Sequence, residues 1–454
     1  MMRPSPSRIV LALALAAPAL GAQGVRLKVP ATVDTLPNGL TLIVHEDHSV
    51  PTVSTNVWYL VGSGDEKVGR TGFAHLFEHV MFMGSEHAPY PEFDTRLEAA
   101  GASNNGTTSE DRTAYYEWGP SNAIPLMLWL EADRQGYLLP TMDKAKLDAQ
   151  RDIVKNERRQ GVENQPYGIS EDLIAPALYP PGHPYSWPVI GSMADLSAAS
   201  LDDVKDFFRT YYAPNNAVIV VAGAVRTDSV RRMVRRMFGD IPRGPAITRA
   251  TPAPFTLRDT VLVAEDRVQL PRVYMNWHTV KAFDRDDAAL ELVAYLLTGA
   301  RNARLTQGLV YEQELATGVN AFNGSKKLDG DFALVATARP GKHLNDVRRA
   351  IDSTIAVLAS NGPTTRELEQ ARNAFESRFL NRLESVNSKS EQLNAYYYFT
   401  GKPDGFQDEL DRVRAVSADD IKRVVQQYLR GPRVMLSIVP MGKKDLAATR
   451  ETVQ

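Results

Sequence analysis

The stretch His75-Leu76-Phe77-Glu78-His79 decides how this chain is interpreted. On a helix, residues four apart have Cβ atoms about 5–6 Å apart, so His75 and His79 can reach one ion together. Imidazole nitrogens bind Zn²⁺ at about 2.0–2.1 Å. Glu78 lies on the same side and can take up a proton without being a ligand. The pattern therefore predicts one Zn²⁺ per chain, and the alternative is a chance match on an ordinary helix.

A third ligand is predicted further along the chain, because a catalytic zinc site uses three protein ligands and keeps one position open. Residues 142–164 read as a helix, and one of its faces carries Leu147, Gln150, Ile153, Val154 and Glu157. A carboxylate on an inward face is costly unless it is paired or binds a metal. Glu157 is therefore the predicted third ligand. The alternative is that Glu157 pairs with Arg158 or Arg151 at a half-exposed edge.

These residues resemble the pitrilysin/insulinase family of zinc metallopeptidases, in its bacterial subgroup similar to processing peptidases. The resemblance rests first on the five-residue motif and on a glutamate at this distance downstream. It extends to three further stretches, which are Gly101-Ala102-Ser103-Asn104-Asn105-Gly106-Thr107-Thr108, His183-Pro184-Tyr185 and Pro188-Val189-Ile190-Gly191-Ser192. The resemblance covers essentially the whole chain after residue 25.

The resemblance implies a mechanism and a substrate site. Zinc would be held by His75, His79 and Glu157, and Glu78 would act as general base in peptide hydrolysis. Substrate would add as a strand to an exposed sheet edge, at Asn104, Asn105, Gly106, Thr107 and Thr108. A plain hairpin turn at Asn104-Asn105-Gly106 is the alternative. Many family members carry another glutamate where this chain has Gln150, beside the ligands; an amide still forms hydrogen bonds but removes one negative charge.

Composition sets the broad class of the protein. The chain has 454 residues, 43% of them hydrophobic and 23% charged, as in ordinary globular proteins. This length predicts two domains rather than one core. A formal net charge of −2 gives no case for nucleic-acid binding.

The N-terminus is predicted to be a signal peptide spanning residues 1–22. Arg3 and Arg8 precede an apolar run at residues 9–20, which is too short to span a bilayer comfortably, and small residues follow it. Cleavage is expected near Gly21 or Ala22. There is no cysteine, hence no disulfide and no lipid-attachment site. The mature chain is expected in the periplasm or outside the cell, without a stable membrane anchor.

The chain contains an internal repeat with an offset of 217 residues. Ser200-Leu201-Asp202-Asp203-Val204-Lys205 and Ser417-Ala418-Asp419-Asp420-Ile421-Lys422 each precede a turn and a buried strand. A proline-rich linker separates the repeats. We expect an N-terminal zinc-binding domain at 25–243 and a homologous C-terminal domain at 255–454. The predicted fold is α+β, with two homologous halves that each pack helices on one face of a mostly antiparallel sheet, closing as the family's clamshell does.

The second half departs from the family pattern. Many active members carry an Arg, and a Tyr seven residues later, that contact substrate near the zinc. Alignment puts Val310 and Thr317 at those positions, and the pair Arg304 and Tyr311 fits an earlier position, although a one-turn shift would bring it into play. We therefore predict the zinc-bearing subunit of a heterodimer whose homologous partner carries the Arg/Tyr pair; a homodimer is the alternative. A non-catalytic structural or peptide-binding subunit is the competing function.

Overall fold

The computed structural model describes residues 26–249 and 251–450 and shows two halves, each built on one sheet. The predicted signal peptide lies outside the described residues. The strands of the first half are β1 (Thr32–Thr35), β2 (Thr41–Glu46), β3 (Thr52–Tyr59), β4 (Ser103–Thr108), β5 (Thr113–Pro120) and β6 (Ala217–Gly223). Its helices are α1 (Phe73–Val80), α2 (Glu92–Ala99), α3 (Ile124–Tyr137), α4 (Lys144–Arg158), α5 (Ser170–Leu178), α6 (Met193–Ala198), α7 (Leu201–Tyr211) and α8 (Thr227–Phe238).

The second half repeats this plan with fewer strands before its helices. Its strands are β7 (Thr260–Asp266), β8 (Arg272–Thr279), β9 (Ala316–Ser325), β10 (Gly330–Ala338) and β11 (Val434–Pro440). Its helices are α9 (Asp287–Thr298), α10 (Leu344–Asn361), α11 (Thr365–Arg382), α12 (Val386–Thr400), α13 (Phe406–Ala415) and α14 (Ala418–Val424). None of the helices in the described ranges is long and apolar enough to cross a membrane.

Both sheets are mostly antiparallel, as predicted. The first has the order β1-β2-β6-β3-β5-β4 and the second β7-β11-β8-β10-β9. Within each sheet the one parallel pair joins the last strand of the half to an early strand, β6 to β2 and β11 to β7. β1 and β4 are therefore the edge strands of the first sheet, and β7 and β9 are those of the second.

The internal repeat is visible as local structure. Ser200 accepts a hydrogen bond from the Asp203 amide, and Asp203 caps the Ser200 amide in return; Ser417 and Asp420 form the same capping box. The strands that follow, β6 and β11, start at Ala217 and Val434 and occupy equivalent central places in their sheets. The two halves are thus homologous units of an α+β fold, as expected.

A helix also covers the second face of each sheet. The sequence predicted helices on one face only. Helix α12 of the second half packs across β3 and β6, and helix α5 of the first half packs on β8 and β11. The first contact is polar at its centre, where Ser54 Oγ lies 2.9 Å from Ser390 Oγ and Asn394 donates to Asn56 Oδ1 at 2.9 Å. Each half therefore buries the open face of the other.

Candidate active site

Helix α1 carries the motif because its apolar side is buried while its polar side stays reachable. Leu76, Phe77 and Val80 are fully buried, whereas the side chains of His75 and His79 remain 18% and 19% exposed. Gly72, just before the helix, has φ +88°, a conformation that favours glycine. The motif therefore sits on a helix, as its spacing predicted.

A buried carboxylate that sequence reasoning missed caps α1. Glu66 Oε1 accepts from the Ala74 amide at 2.7 Å, and Oε2 accepts from the Gly72 amide at 3.0 Å and from Trp187 Nε1 at 3.2 Å. These amides are among the N-terminal groups that a helix leaves unpaired. Burial raises the pKa of Glu66 to about 8. The only signal in the sequence is an acidic residue shortly before a glycine that begins a helix.

Helix α4 presents Glu157 towards α1, although one residue of the predicted face is misplaced. Asp143 starts the helix by accepting from the Lys146 amide at 2.8 Å. Leu147, Gln150 and Val154 are buried, but Ile153 is 44% exposed. The inward face of the helix thus excludes Ile153. Glu157 ends the face just before the chain widens into a π-helical turn at Arg159–Glu163.

The three predicted ligands converge on one point. His75 Nε2 and His79 Nε2 lie 3.4 Å apart, and Glu157 Oε2 lies 3.8 Å from the first and 3.3 Å from the second. Donors of a tetrahedral zinc ion at 2.0–2.1 Å are separated by about 3.3–3.4 Å, so the observed triangle fits a single ion. Among the described residues, this is the one group of three or more such ligands compact enough to hold a metal.

The electrostatics of the triangle also suit a metal. Burial and the neighbouring His79 lower the pKa of His75 to about 4, so its imidazole stays neutral and free to bind a metal at physiological pH. Glu157 does not pair with its arginine neighbours, which were the alternative: Arg151 pairs with Asp148, and Arg158 pairs with Asp172. Its carboxylate is therefore available to the histidines.

Glu78 faces the edge strand rather than the bulk of the protein. Thr108 Oγ1 donates to Glu78 Oε2 at 2.5 Å. A Cβ at Gly106 would lie 3.0 Å from Glu78 Cγ, so the glycine lets β4 approach α1 closely. Burial raises the pKa of Glu78, and the hydrogen bond from Thr108 opposes that rise. A carboxylate whose pKa is raised towards neutrality is suited to take up and release a proton.

The segment predicted to bind substrate is an edge strand, so the hairpin-turn alternative is wrong. Asn104, Asn105 and Gly106 pair in register with Glu117, Tyr116 and Tyr115 of β5, and the chain turns only after Thr108. The side chains alternate: Asn104 and Thr108 lie on the α1 side, where they contact Asp94 and Glu78.

Thr107 points away from α1 and holds a different contact. Arg112 donates to the carbonyl and hydroxyl oxygens of Thr107, at 2.9 and 2.8 Å, and lies 3.4 Å from Glu391 on α12. Arg112, which sequence reasoning missed, therefore ties the edge strand to the second half of the chain. The side-chain oxygen of Asn105 accepts a hydrogen bond from the Gly106 amide.

Gln150 is buried on α4, and its amide contacts a residue near the end of α1. Its amide Nε2 lies 2.6 Å from Met83 Sδ, just beyond α1. Nδ1 of His75 is buried and, among the described residues, has no hydrogen-bond partner. The role predicted for Gln150 beside the metal stays a prediction.

The Arg304/Tyr311 pair is engaged elsewhere. Arg304 forms two hydrogen bonds, at 2.8 and 2.9 Å, with Glu367, which forms the capping box of α11 with the N-cap residue Thr364. Tyr311 is 46% exposed under the guanidinium of Arg301. Thr317 donates to the backbone of Thr337 within the second sheet. None of these contacts leads to the metal ligands.

Comparison with known proteins identifies the family. The profile of Insulinase (Peptidase family M16) matches residues 41–181, and that of the Peptidase M16 inactive domain matches residues 198–375. Together the matches span more than half of the chain. It therefore belongs to the pitrilysin/insulinase family of peptidases, M16. Every residue predicted for the metal and the edge strand falls in the first match.

Individual relatives agree with this assignment. The zinc protease PqqE of Helicobacter pylori is 27% identical over 403 residues, which is 87% of this chain and 89% of that protein. A probable mitochondrial-processing peptidase subunit beta of Arabidopsis thaliana is 24% identical over 454 residues, covering 96% and 83% respectively. The crystal structure of a protease from Helicobacter pylori superposes with a TM-score of 0.86 at 25% identity, covering 91% of this chain and all of that one.

Proposed function

We propose that this chain is a zinc metalloendopeptidase that hydrolyses peptides or small unfolded chains. The observation that carries the proposal is the convergence of His75, His79 and Glu157 to within 3.8 Å of one another. Glu78 lies on the helix of the two histidines and faces β4, an outer strand of the first sheet. Zinc bound by these three side chains would supply Lewis-acid activation of water and of the scissile carbonyl. The relative PqqE is named a zinc protease.

The remaining chemistry falls to residues of this chain. Glu78 accepts the proton of the attacking water and then passes it to the leaving amine. Thr108 holds Glu78 by its hydroxyl and, being on β4, fixes the distance between the base and the strand. A substrate added beside β4 forms main-chain hydrogen bonds there, which supply affinity independent of side chains. Alternate substrate side chains then face α1 or point away from it.

The test is cleavage of a quenched fluorescent peptide library by the purified, zinc-loaded chain, with its mass in solution recorded. The Glu78→Gln variant should keep stoichiometric zinc and lose turnover, because the amide cannot accept the proton. Glu98→Gln changes an exposed glutamate on α2 and serves as the matched control. Equal turnover by Glu78→Gln and the unaltered chain would contradict the proposed mechanism.

We further propose that the chain is the zinc-bearing subunit of a heterodimer with a homologous chain. The support is that Arg304 is committed to Glu367 and that Val310 and Thr317 stand where the Arg/Tyr pair is expected. The Arabidopsis relative is named as a subunit. Full turnover by the single chain as a monomer would refute the heterodimer; turnover only as a homodimer would favour the alternative.

The competing proposal is a non-catalytic structural or peptide-binding subunit. The match to the profile of the M16 inactive domain favours it, although the metal ligands lie outside that match. Peptide binding without turnover, even with the partner present, would support it. For the location, we propose export to the periplasm or the medium after cleavage near Gly21 or Ala22; the N-terminal sequence of the mature chain tests this.

A further inference from the structure

Residues 190–192, within the stretch that resembled the family but received no role, pack directly on the start of α1. A Cβ at Gly191 would lie 2.3 Å from the Gly72 backbone nitrogen, so the two backbones touch with no room for a side chain. The Ser192 amide donates to Thr71 Oγ1 at 3.1 Å. Thr71 in turn donates to Asp195 through its amide and its hydroxyl, at 2.9 and 2.6 Å. The start of α1 is thereby fixed to this segment.

The same segment also holds the end of α4. Arg158 Nη1 donates to the Gly191 carbonyl oxygen at 2.8 Å, and its Nη2 lies 2.5 Å from Asp172 on α5. The Arg158 side chain is only 11% exposed. A guanidinium holds several donors in one plane and can therefore serve two acceptors at once. One three-residue segment thus connects the helix of the two histidines to the helix of Glu157.

Two carboxylates, those of Glu157 and Asp172, lie near Arg158. It is the immediate neighbour of Glu157, and a free guanidinium there could pair with the Glu157 carboxylate and compete with a metal for it. Asp172 and the Gly191 carbonyl occupy the guanidinium instead. Glu157 itself keeps 42% of its side chain exposed, so tight packing does not fix its position. Its placement depends on where the end of α4 is held.

We propose that Arg158 and residues 190–192 form a brace that sets the separation of α1 and α4, which makes Arg158 a positioning residue for the metal site. This inference rests on the proposed zinc site. Arg158 acts through Glu157, by placing the carboxylate within ligand distance of the histidines and by staying paired with Asp172. Mutation of a residue that holds a metal ligand in place, without binding the metal itself, typically weakens metal affinity about 10–100-fold.

The test is zinc affinity of the full mature chain, measured by competition with a chromophoric chelator. Arg158→Ala should weaken zinc binding about 10–100-fold. The matched control is Arg159→Ala, because Arg159 is exposed and its side chain contacts Asn156, one turn back in the chain. Its affinity should stay within about two-fold of the unaltered chain, since this exposed local contact does not join α4 to another element and surface changes of this kind are usually near neutral. Arg158→Lys keeps the charge but loses the planar fork, and it should fall between the two.

A double-mutant cycle separates positioning from general damage to the fold. In a Glu157→Ala background, Arg158→Ala should change zinc affinity less than about two-fold, because the group through which it acts is gone. Equal losses in both backgrounds, or no loss from Arg158→Ala, would overturn the brace. If Arg158→Ala fails to fold by circular dichroism, Asp172→Asn, which weakens the anchor of the guanidinium, should still weaken zinc binding, and an unchanged affinity would overturn the brace.

The outcomes also distinguish the brace from the proposed function. An unaltered chain that binds no zinc would overturn both proposals. An unaltered chain that binds zinc and cleaves peptides, with an Arg158→Ala variant of equal affinity, would overturn only the brace. Since the readout is metal binding, the result does not depend on a partner subunit.

Discussion

Replacing Thr108 by valine removes a hydroxyl that donates to Glu78, at a nearly unchanged side-chain volume. The bond is 2.5 Å long and its acceptor is a carboxylate. Hydrogen bonds to charged groups contribute about 1.5–3 kcal/mol. Because this bond stabilises the ionised carboxylate, its loss should raise the pKa of Glu78 by about 1–2 units at 1.36 kcal/mol per unit.

The assay is the pH dependence of kcat/KM on a quenched peptide, with the zinc-loaded chain and any partner it requires. The rate requires ionised Glu78, so it falls on the acid side as the base becomes protonated. For Thr108→Val the midpoint of that acid limb should move about 1–2 units to higher pH, following the lost bond energy. At a pH between the two midpoints, the rate should drop by up to about ten-fold per unit of the shift.

Thr107→Val is the matched control for this experiment. Thr107 is the adjacent residue on the same strand, but its hydroxyl accepts from Arg112 on the opposite face. Its acid limb should keep the midpoint of the unaltered chain, whatever the change does to peptide binding. If Thr108→Val and the unaltered chain share the same midpoint, Glu78 is not the base whose ionisation the rate reports, and the reasoning is wrong.

Three further outcomes follow from the site. Glu157→Ala should weaken zinc binding by at least about 100-fold, as measured by chelator competition, because loss of a ligand should exceed the effect of losing a residue that only supports a ligand. A smaller loss would remove Glu157 from the ligand set. Zinc at 100 times its Kd should add about 2.7 kcal/mol to the free energy of unfolding, and chelation should lower the Tm accordingly; an unchanged Tm would mean that no zinc binds the folded chain. Glu66 has its pKa raised from 4.5 to about 8 by burial, so over that interval the folded protein holds a proton that the unfolded chain has released. The free energy of unfolding of the metal-free protein should therefore fall between pH 4.5 and 8, by up to about 1.4 kcal/mol per unit, and Glu66→Gln should flatten that slope in denaturant titrations; an equal slope in both proteins would contradict the assignment.

The sequence predicted those parts of the site that depend on helical periodicity. His75, His79 and Glu78 share a helix, and their relative placement follows from a spacing of three and four residues. Glu157 was reached by the same periodicity on a second helix, together with the family resemblance. Ile153 was placed on the wrong side because periodicity gives relative directions, whereas burial depends on which neighbouring element covers each flank.

Contacts between distant segments were not predictable in this way. Thr108 and Glu78 are 30 residues apart in sequence, and their contact depends on the register of β4 against β5 and on the lack of a side chain at Gly106. Glu66 was missed for the same reason, since a carboxylate that caps a helix from several residues upstream has no fixed spacing to it. The predicted repeat succeeded because a capping box and the strand after it are local features.

The helix that covers the second face of the first sheet could not be predicted from the polarity of single residues. On α12, Ser390 and Asn394 are buried although they are polar, and they meet Ser54 and Asn56, which are buried and polar as well. Read singly, each of these residues indicates a solvated surface. Buried polar groups are costly unless they find partners, so the docking of α12 that joins Ser390 to Ser54 and Asn394 Nδ2 to Asn56 is favoured over shifted ones. A matched polar seam of this kind fixes the register of the two halves more strictly than apolar contact would, because a shifted helix would leave donors and acceptors unpaired. The placement of Arg112, which joins the edge strand to Glu391 of the same helix, then follows from that register.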